Sequence, residues 1–356
     1  MKALIKILGV GLVGISLVLA VAFVKSPIDP QVWIPPANPG FVEGFAVNSE
    51  LSDVVLIDVP GHGPEDVSCT EDGSWVTGLE DGRVIQLDAS GVVKTLGNTG
   101  GRPVGLQAMT DGSVIVADAI RGLLRLNLDG STDVLANAFQ GQPILFADDL
   151  DISADGVVWF SDASQRFGIH DFMLDLLEAS RTGRLLSYDL NTGELTSHME
   201  GLFFANGVAL GPDERFVLVN ETVTGRVHRL WLKGDRRGER DIFIDGLPAM
   251  VDNISFNGGD TFWVASPNPR EALDALADKP LLRRIVAGLP AWVSQSMETP
   301  FSMVSAFDLN GQLITSLRDP NARLNQVTSV TECDGKLILG SLVSSGIGVV
   351  ELDDSE

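Results

Sequence analysis

Apolar and polar positions alternate along most of the chain, and the exception comes first. Residues Ile7–Val24 form an 18-residue run without a charge, preceded by Lys2 and Lys6 and followed by Lys25. At about 1.5 Å rise per residue this run is long enough for a minimal transmembrane helix. Two lysines before it and one after orient an uncleaved anchor with its N terminus inside and the body outside. Ala20-Val21-Ala22 also has the form of a signal-peptide cleavage site. Both readings export the body, either membrane-anchored on the extracytoplasmic side or released into a periplasmic, lumenal or secreted space. Residues 26–40, SPIDPQVWIPPANPG, hold five prolines and read as an extended linker. The expected division is therefore 1–25 anchor or signal, 26–40 linker and 41–356 globular domain.

Within that domain the alternation repeats. Stretches beginning TEDGSWVTG (Thr70), MTDGSVIVAD (Met109), SADGVVWFSD (Ser153), GPDERFVLVNE (Gly211), FNGGDTFWVAS (Phe256) and TECDGKLILGS (Thr331) each open on an Asp/Gly-type turn. Each continues as an alternating apolar strand, breaks, and resumes as another. Six such units, each a small antiparallel sheet, predict an all-β six-bladed β-propeller. A strand around Leu51–Val59 is placed to complete the last blade and close the ring. Two units carry insertions. His170–Ser180 has helical spacing of Phe172, Met173, Leu176 and Leu177, and Arg270–Met297 reads as two short helices broken at Pro280 and Pro290. Inserts of this length belong on a propeller face, where they can roof a pocket. The second is apolar enough to pack on the rim or to touch lipid beside the anchor.

Composition narrows the partners. With 48 acidic and 25 basic side chains the net charge is −23, which excludes nucleic acid, a polyanion bound chiefly through Lys and Arg. Thirty-eight glycines suit many tight turns. The two cysteines, Cys69 and Cys333, are too few for a disulfide scaffold or a cysteine zinc site. They read as buried free thiols, and pair only if the ends of the chain meet in an oxidising compartment.

Aligning the six units on Asp72, Asp111, Asp155, Asp213, Gly259 and Asp334 exposes a further regularity. Seven residues upstream of each stand Glu65, Val104, Asp148, Asn206, Asp252 and Val327, at the start of each innermost strand. Equivalent positions of inner strands converge on the central channel of a propeller, so four oxygen-donor side chains meet there. The next positions add Asp66, Asp149 and Asn253. Three carboxylates desolvated together repel one another, and no Lys or Arg stands at the equivalent positions. A divalent cation resolves the conflict, and an oxygen-only donor set favours Ca²⁺ over Zn²⁺.

At these residues the chain resembles the superfamily of calcium-dependent six-bladed hydrolases that includes paraoxonases, gluconolactonases and diisopropyl fluorophosphatase, most closely its strictosidine-synthase-like branch. The matching stretches are GRPVGL (Gly101–Leu106), ADAIRGLLRL (Ala117–Leu126), FADDLDISADGVVWFSDAS (Phe146–Ser164), GRLLSYD (Gly183–Asp189), FANGVALGPDERFVLVNET (Phe204–Thr222) and MVDNIS (Met250–Ser255). The resemblance implies a catalytic calcium at Glu65, Asp148, Asn206 and Asp252, with Asn253 adjacent. It also implies a second, structural calcium at Asp66, Asp149 and the Leu106 carbonyl, a site that gluconolactonases lack. Three positions depart from the pattern. Val104 stands where paraoxonases carry a catalytic histidine, and Thr328 is the nearest match to the glutamate with which strictosidine synthase deprotonates an amine. Asp148 stands where paraoxonases have asparagine.

The expected activity is calcium-dependent hydrolysis of a small apolar ester or lactone, with Asp252 as base or nucleophile and Glu65 beside it. Val104, His62 and Thr328 are placed at the pocket, with Trp263, Phe167 and Phe203 near its mouth. A membrane-tethered, non-enzymatic binding propeller with structural calcium is the alternative, and strictosidine-type condensation a weaker one. GxSxG is absent, and no Ser-His-Asp arrangement is recognisable.

Overall fold

The computed structural model of the chain describes residues 17–91, 93–290 and 300–352. Six four-stranded antiparallel sheets are arranged in a ring. Blade 1 comprises Val67–Cys69, Trp75–Gly78, Arg83–Leu87 and Val93–Asn98, and blade 2 Pro103–Ala108, Val114–Asp118, Gly122–Leu126 and Thr132–Ala136. Blade 3 comprises Ala147–Ile152, Val157–Asp162, Gly183–Asp189 and Leu195–Leu202, and blade 4 Ala205–Leu210, Phe216–Glu221, Arg226–Trp231 and Arg240–Ile244. Blade 5 is built from Ile254–Phe256, Phe262–Ser266, Met303–Phe307 and Leu313–Arg318. Blade 6 takes three strands from the C-terminal part, Val327–Cys333, Lys336–Ser341 and Gly346–Glu351. Its fourth, Val55–Asp58, comes from near the start of the propeller and pairs with Gly346–Glu351, as the sequence anticipates.

Local chemistry explains the repeat. In blade 2, Asp111 Oδ1 accepts the Ser113 N–H at 2.9 Å while Gly112 takes φ +81°, a left-handed conformation that glycine adopts at no steric cost. The strand that follows, Val114–Asp118, is buried throughout, because second strands are covered on both faces by neighbouring blades. Apolar clusters fill all six spaces between adjacent blades, from Val76, Leu106 and Val116 between blades 1 and 2 to Val67, Ile338 and Ile347 between blades 6 and 1. The core is thus a ring of six wedges around a polar axis.

Three sequence expectations change. Cys69 and Cys333 form a disulfide across a Cα–Cα distance of 6.3 Å. They end the inner strands of blades 1 and 6, which are far apart in sequence and become neighbours only when the ring closes. The proline-rich segment is extended but does not hang free: Ile28 and Trp33 are buried, and the segment lies across the inserts. Trp263, expected near the channel mouth, lies in the blade 5–6 wedge with its indole N–H on Glu332 at 2.8 Å. The inserts themselves are helical over Phe172–Glu178, Glu271–Asp274 and Pro280–Ala287. Part of the second insert, residues 291–299, lies outside the described residues. So does most of the apolar N-terminal run, of which 17–25 is helical. Among the described residues no helix is long and apolar enough to cross a membrane.

Candidate metal centre

The inner strands bring the predicted ring together. Asp148 and Asn206 sit one residue inside the starts of their strands, and Glu65 and Asp252 two residues before theirs. Close approach of the strands depends on glycine. A Cβ on Gly105 would lie 2.5 Å from the Asp148 carbonyl oxygen, and one on Gly207 2.6 Å from that of Asp252. Glu65, Asp148 and Asn206 are 3%, 3% and 4% exposed. Asn253 is likewise buried, and its amide donates to Glu65 Oε2 at 3.5 Å.

Burial and mutual repulsion push these acids up. Desolvation holds Glu65 well above the carboxylate range, reinforced by Asp252 and Asp148. Asp148 is raised by desolvation and then by Asp252. Desolvation pushes Asp252 up to about 7, against a hydrogen bond from the Asn206 side chain.

The donor chemistry suits a hard cation. Asp148 Oδ2, Asn206 Oδ1 and Asn253 Oδ1 are buried oxygens without a hydrogen-bond partner, an arrangement a folded protein ordinarily avoids. Among the described residues no group of three or more His, Cys, Asp or Glu side chains is arranged to hold a metal ion. The buried oxygens of Glu65, Asp148, Asn206, Asp252 and Asn253 form a mixed carboxylate and amide set, the donor chemistry that suits calcium.

The layer below the ring has a structural occupation of its own. Asp66 Oδ2 accepts the Leu106 N–H from blade 2 at 3.0 Å, and Asp149 Oδ2 accepts the Val208 N–H from blade 4 at 2.8 Å. Ser68 and Asp151 repeat the device one pleat further down, on Ala108 and Leu210. Side chains thereby hold together adjacent inner strands. Desolvation raises Asp66 to about 6 and lifts Asp149 well above its ordinary value, with the two acids adding to each other in Asp149. Asp66, Leu106, Asp149 and Asn253 face a cleft of about 210 Å³ along the lower channel.

The remaining predicted positions divide. Val104 is buried in the apolar layer above the ring with Phe146 and Phe204, two residues upstream of Asp148 and Asn206, and Phe203 packs against the same layer. Thr328 hydroxyl donates to the Glu65 carbonyl at 2.8 Å, tying blade 6 to blade 1. His62 is exposed, and its backbone carbonyl accepts the Glu80 N–H.

Sequence reasoning missed two residues. Arg102 is buried, and burial lowers its guanidinium while Glu65 heads the acids that raise it. A base does stand among the acids, therefore, two positions upstream of the aligned register. Its signal was present: that position is Phe146, Phe204 and Met250 in the next three units, so a charge there breaks the pattern. The second is Asn220, fully buried in the second strand of blade 4, whose amide donates to the Asp252 carbonyl.

Comparison with known proteins agrees with this architecture. Residues 148–235 match the strictosidine synthase family model, and residues 44–87 match the strictosidine synthase-like N-terminal model. Adipocyte plasma membrane-associated protein of Mus musculus is 32% identical, over 93% of this chain and 85% of its own. Strictosidine synthase-like 6 of Arabidopsis thaliana is 34% identical, over 90% and 86%. Among solved structures, a Xanthomonas campestris gluconolactonase superposes with a TM-score of 0.62 at 16% identity, over 92% of this chain and 98% of its own. A calcium-binding protein, regucalcin, from Agrobacterium tumefaciens gives 0.60 at 14%, over 83% and 92%. These structural likenesses carry the fold, and the sequence relatives carry the kinship: the chain belongs to the strictosidine synthase-like family.

Proposed function

We propose that this protein is a calcium-dependent hydrolase of small apolar carboxylic esters or lactones, working on the extracytoplasmic side of a membrane. The observation that carries the reading is a buried cluster in which Glu65, Asp148 and Asp252 raise one another while Asn253 donates to Glu65 and Asn206 to Asp252, with Asp148 Oδ2, Asn206 Oδ1 and Asn253 Oδ1 left without a partner. Glu65, Asp148, Asn206, Asp252 and Asn253 would hold the ion. A second ion at Asp66, Asp149 and the Leu106 carbonyl belongs to the same proposal as its separable part. Gluconolactonase-like neighbours and a relative named for the plasma membrane support the activity and the location.

Bound calcium would supply Lewis-acid polarisation of the substrate carbonyl. The protein does the rest. Asp252 takes a proton from the attacking water as the water oxygen bonds to the carbonyl carbon. The tetrahedral adduct then expels the alkoxide, which recovers that proton. The Asn206 amide orients the Asp252 carboxylate, and Asn220 fixes its backbone. Val104, Phe146 and Phe204 present an apolar, water-excluding wall.

Purified protein should hydrolyse phenyl acetate or an apolar lactone and lose that activity in chelator. Asp252→Asn should lower kcat/KM by about 100-fold or more, the range for removing a general base, while staying folded by circular dichroism. Full activity in that variant would remove Asp252 from its role. The non-enzymatic reading draws on one observation, that the unit-two position is a buried valine without proton chemistry. Calcium binding by calorimetry with no turnover across an ester and lactone panel would establish it.

A further inference from the structure

The ring is covered. Above Val104, Phe146 and Phe204 lies Trp33, 4% exposed, together with Leu176 of the first insert and Leu273 of the second. Trp33 comes from the proline-rich segment, which crosses this face as an extended strap from residue 26 to residue 38. No sheet holds the strap. Its backbone is gripped by side chains of the inserts: Arg283 donates to the Gln31 carbonyl, and Arg270 donates to the Pro36 and Ala37 carbonyls at 3.2 and 2.9 Å. Glu178 accepts the Asp29 N–H at 2.8 Å, and Asn38 donates to Asp274 at 3.1 Å.

The grip is costly in its closed form. Arg283 is fully buried, and its described partners are carbonyl oxygens and the Trp33 ring, 4.4 Å beneath its guanidinium carbon. A buried charge without a carboxylate is disfavoured relative to water. Ser26 Oγ, Trp33 Nε1, Asp274 Oδ1, Arg283 Nε and Arg284 Nε are all buried without a partner. Lifting the strap would return Ser26, Trp33 Nε1, Asp274 and Arg283 to water, while Trp33 would lose its apolar contacts. Opposing terms of this kind reduce the net free energy that holds the strap closed.

We propose that residues 26–38 are a latch over the mouth of the ring, with Trp33 as its plug and Arg283 as the positioning residue that seats it. Opening is required for a substrate to reach Glu65, Asp148 and Asp252. The consequence for turnover rests on the hydrolase reading, but access to the ring does not.

The test reads access directly. In an Asn38→Cys/Asp274→Cys double variant, oxidation ties the strap to the second insert and reduction frees it. Each form is treated with a water-soluble carbodiimide and an amine, and modification of Glu65, Asp148 and Asp252 is timed by peptide mass spectrometry. Wild-type protein with and without reductant controls for the native disulfide. The tied form should label about tenfold more slowly than the reduced form, equivalent to about 1.4 kcal/mol of added closure. Arg283→Met should label faster than wild type, with Arg283→Lys restoring part of the protection. Equal rates in tied and reduced forms overturn the latch, even if Arg283→Met does not fold. Gated labelling without esterase activity retains the latch and removes the hydrolase reading. Turnover with ungated labelling does the reverse.

Discussion

Asp72 and Asp252 are one residue type in opposite circumstances. Asp72 caps a turn, accepting from Ser74 and Thr70, and is held down at about 2. Asp252 is buried among other acids and pushed up to about 7. The sign of the stability contribution differs accordingly. The turn acid stabilises the fold above the ordinary aspartate pKa, about 4, and that contribution is lost as pH falls toward 2. The ring acid binds its proton more tightly when folded, so its ionisation costs stability as pH rises through 7. Chelated protein should therefore melt at a higher temperature near pH 5.5 than at pH 8, and calcium should raise the melting temperature most at pH 8. Scanning calorimetry with and without chelator measures both, and a calcium-independent profile would count against a cation at the ring. Arg102 bears on the same balance. Arg102→Met removes a positive charge facing Glu65, so calcium should bind several-fold more tightly while the chelated protein loses stability. Isothermal titration supplies the first quantity and thermal melts the second.

At the scale of the element, the inner strand carries two sets of side chains. Its first pleat offers the ring donors, and its second and fourth tie one blade to the next. Asp66 is where the two roles meet. As an inter-blade clip it needs one oxygen for the Leu106 N–H, which an asparagine also supplies. Near pH 5, where Asp66 is largely protonated, Asp66→Asn should thus leave the melting temperature nearly unchanged, whereas Asp66→Ala, which leaves that N–H buried and unpaired, should cost about 1–3 kcal/mol. If Asp66→Asn also lowers calcium stoichiometry from two to one, the lower layer holds an ion in addition to its clips. The alternation of the blades was legible because a strand repeats every two residues. Their Asp-Gly turns were legible because the turn chemistry lies within four residues. The clips were not, since Asp66 and Leu106 lie 40 residues apart.

At the scale of the whole molecule, the propeller is closed twice. Val55–Asp58 completes the outer edge of blade 6, and Cys69–Cys333 joins the inner strands of blades 6 and 1 across 264 residues of sequence. A loop of that length gives a disulfide its largest effect on the unfolded chain, on the order of 2–4 kcal/mol in most measured cases. Cys69→Ser should therefore lower the melting temperature by several degrees without altering calcium stoichiometry, because the outer strand still closes the ring. Loss of calcium binding in that variant would show that the inner closure also sets the ring geometry. The charge of −23 divides at this scale too. Turn acids such as Asp72, Asp111 and Asp155 are exposed to water, and a few others, Glu65, Asp148 and Asp252 among them, are gathered at the axis.

Periodicity and repeat register were properties of the sequence by itself. They determined the all-β class, the six blades, the closing strand and the gathering of Glu65, Asp148, Asn206 and Asp252 at the axis, because a propeller turns equal positions in the repeat into equal positions around an axis. Tertiary structure alone decided what those donors meet. Arg102 facing Glu65, the pairing of Cys69 with Cys333, and the strap seated by Arg283 all join residues whose proximity has no period. Such contacts arise only when the ring closes and segments far apart in the chain compete for the same buried space.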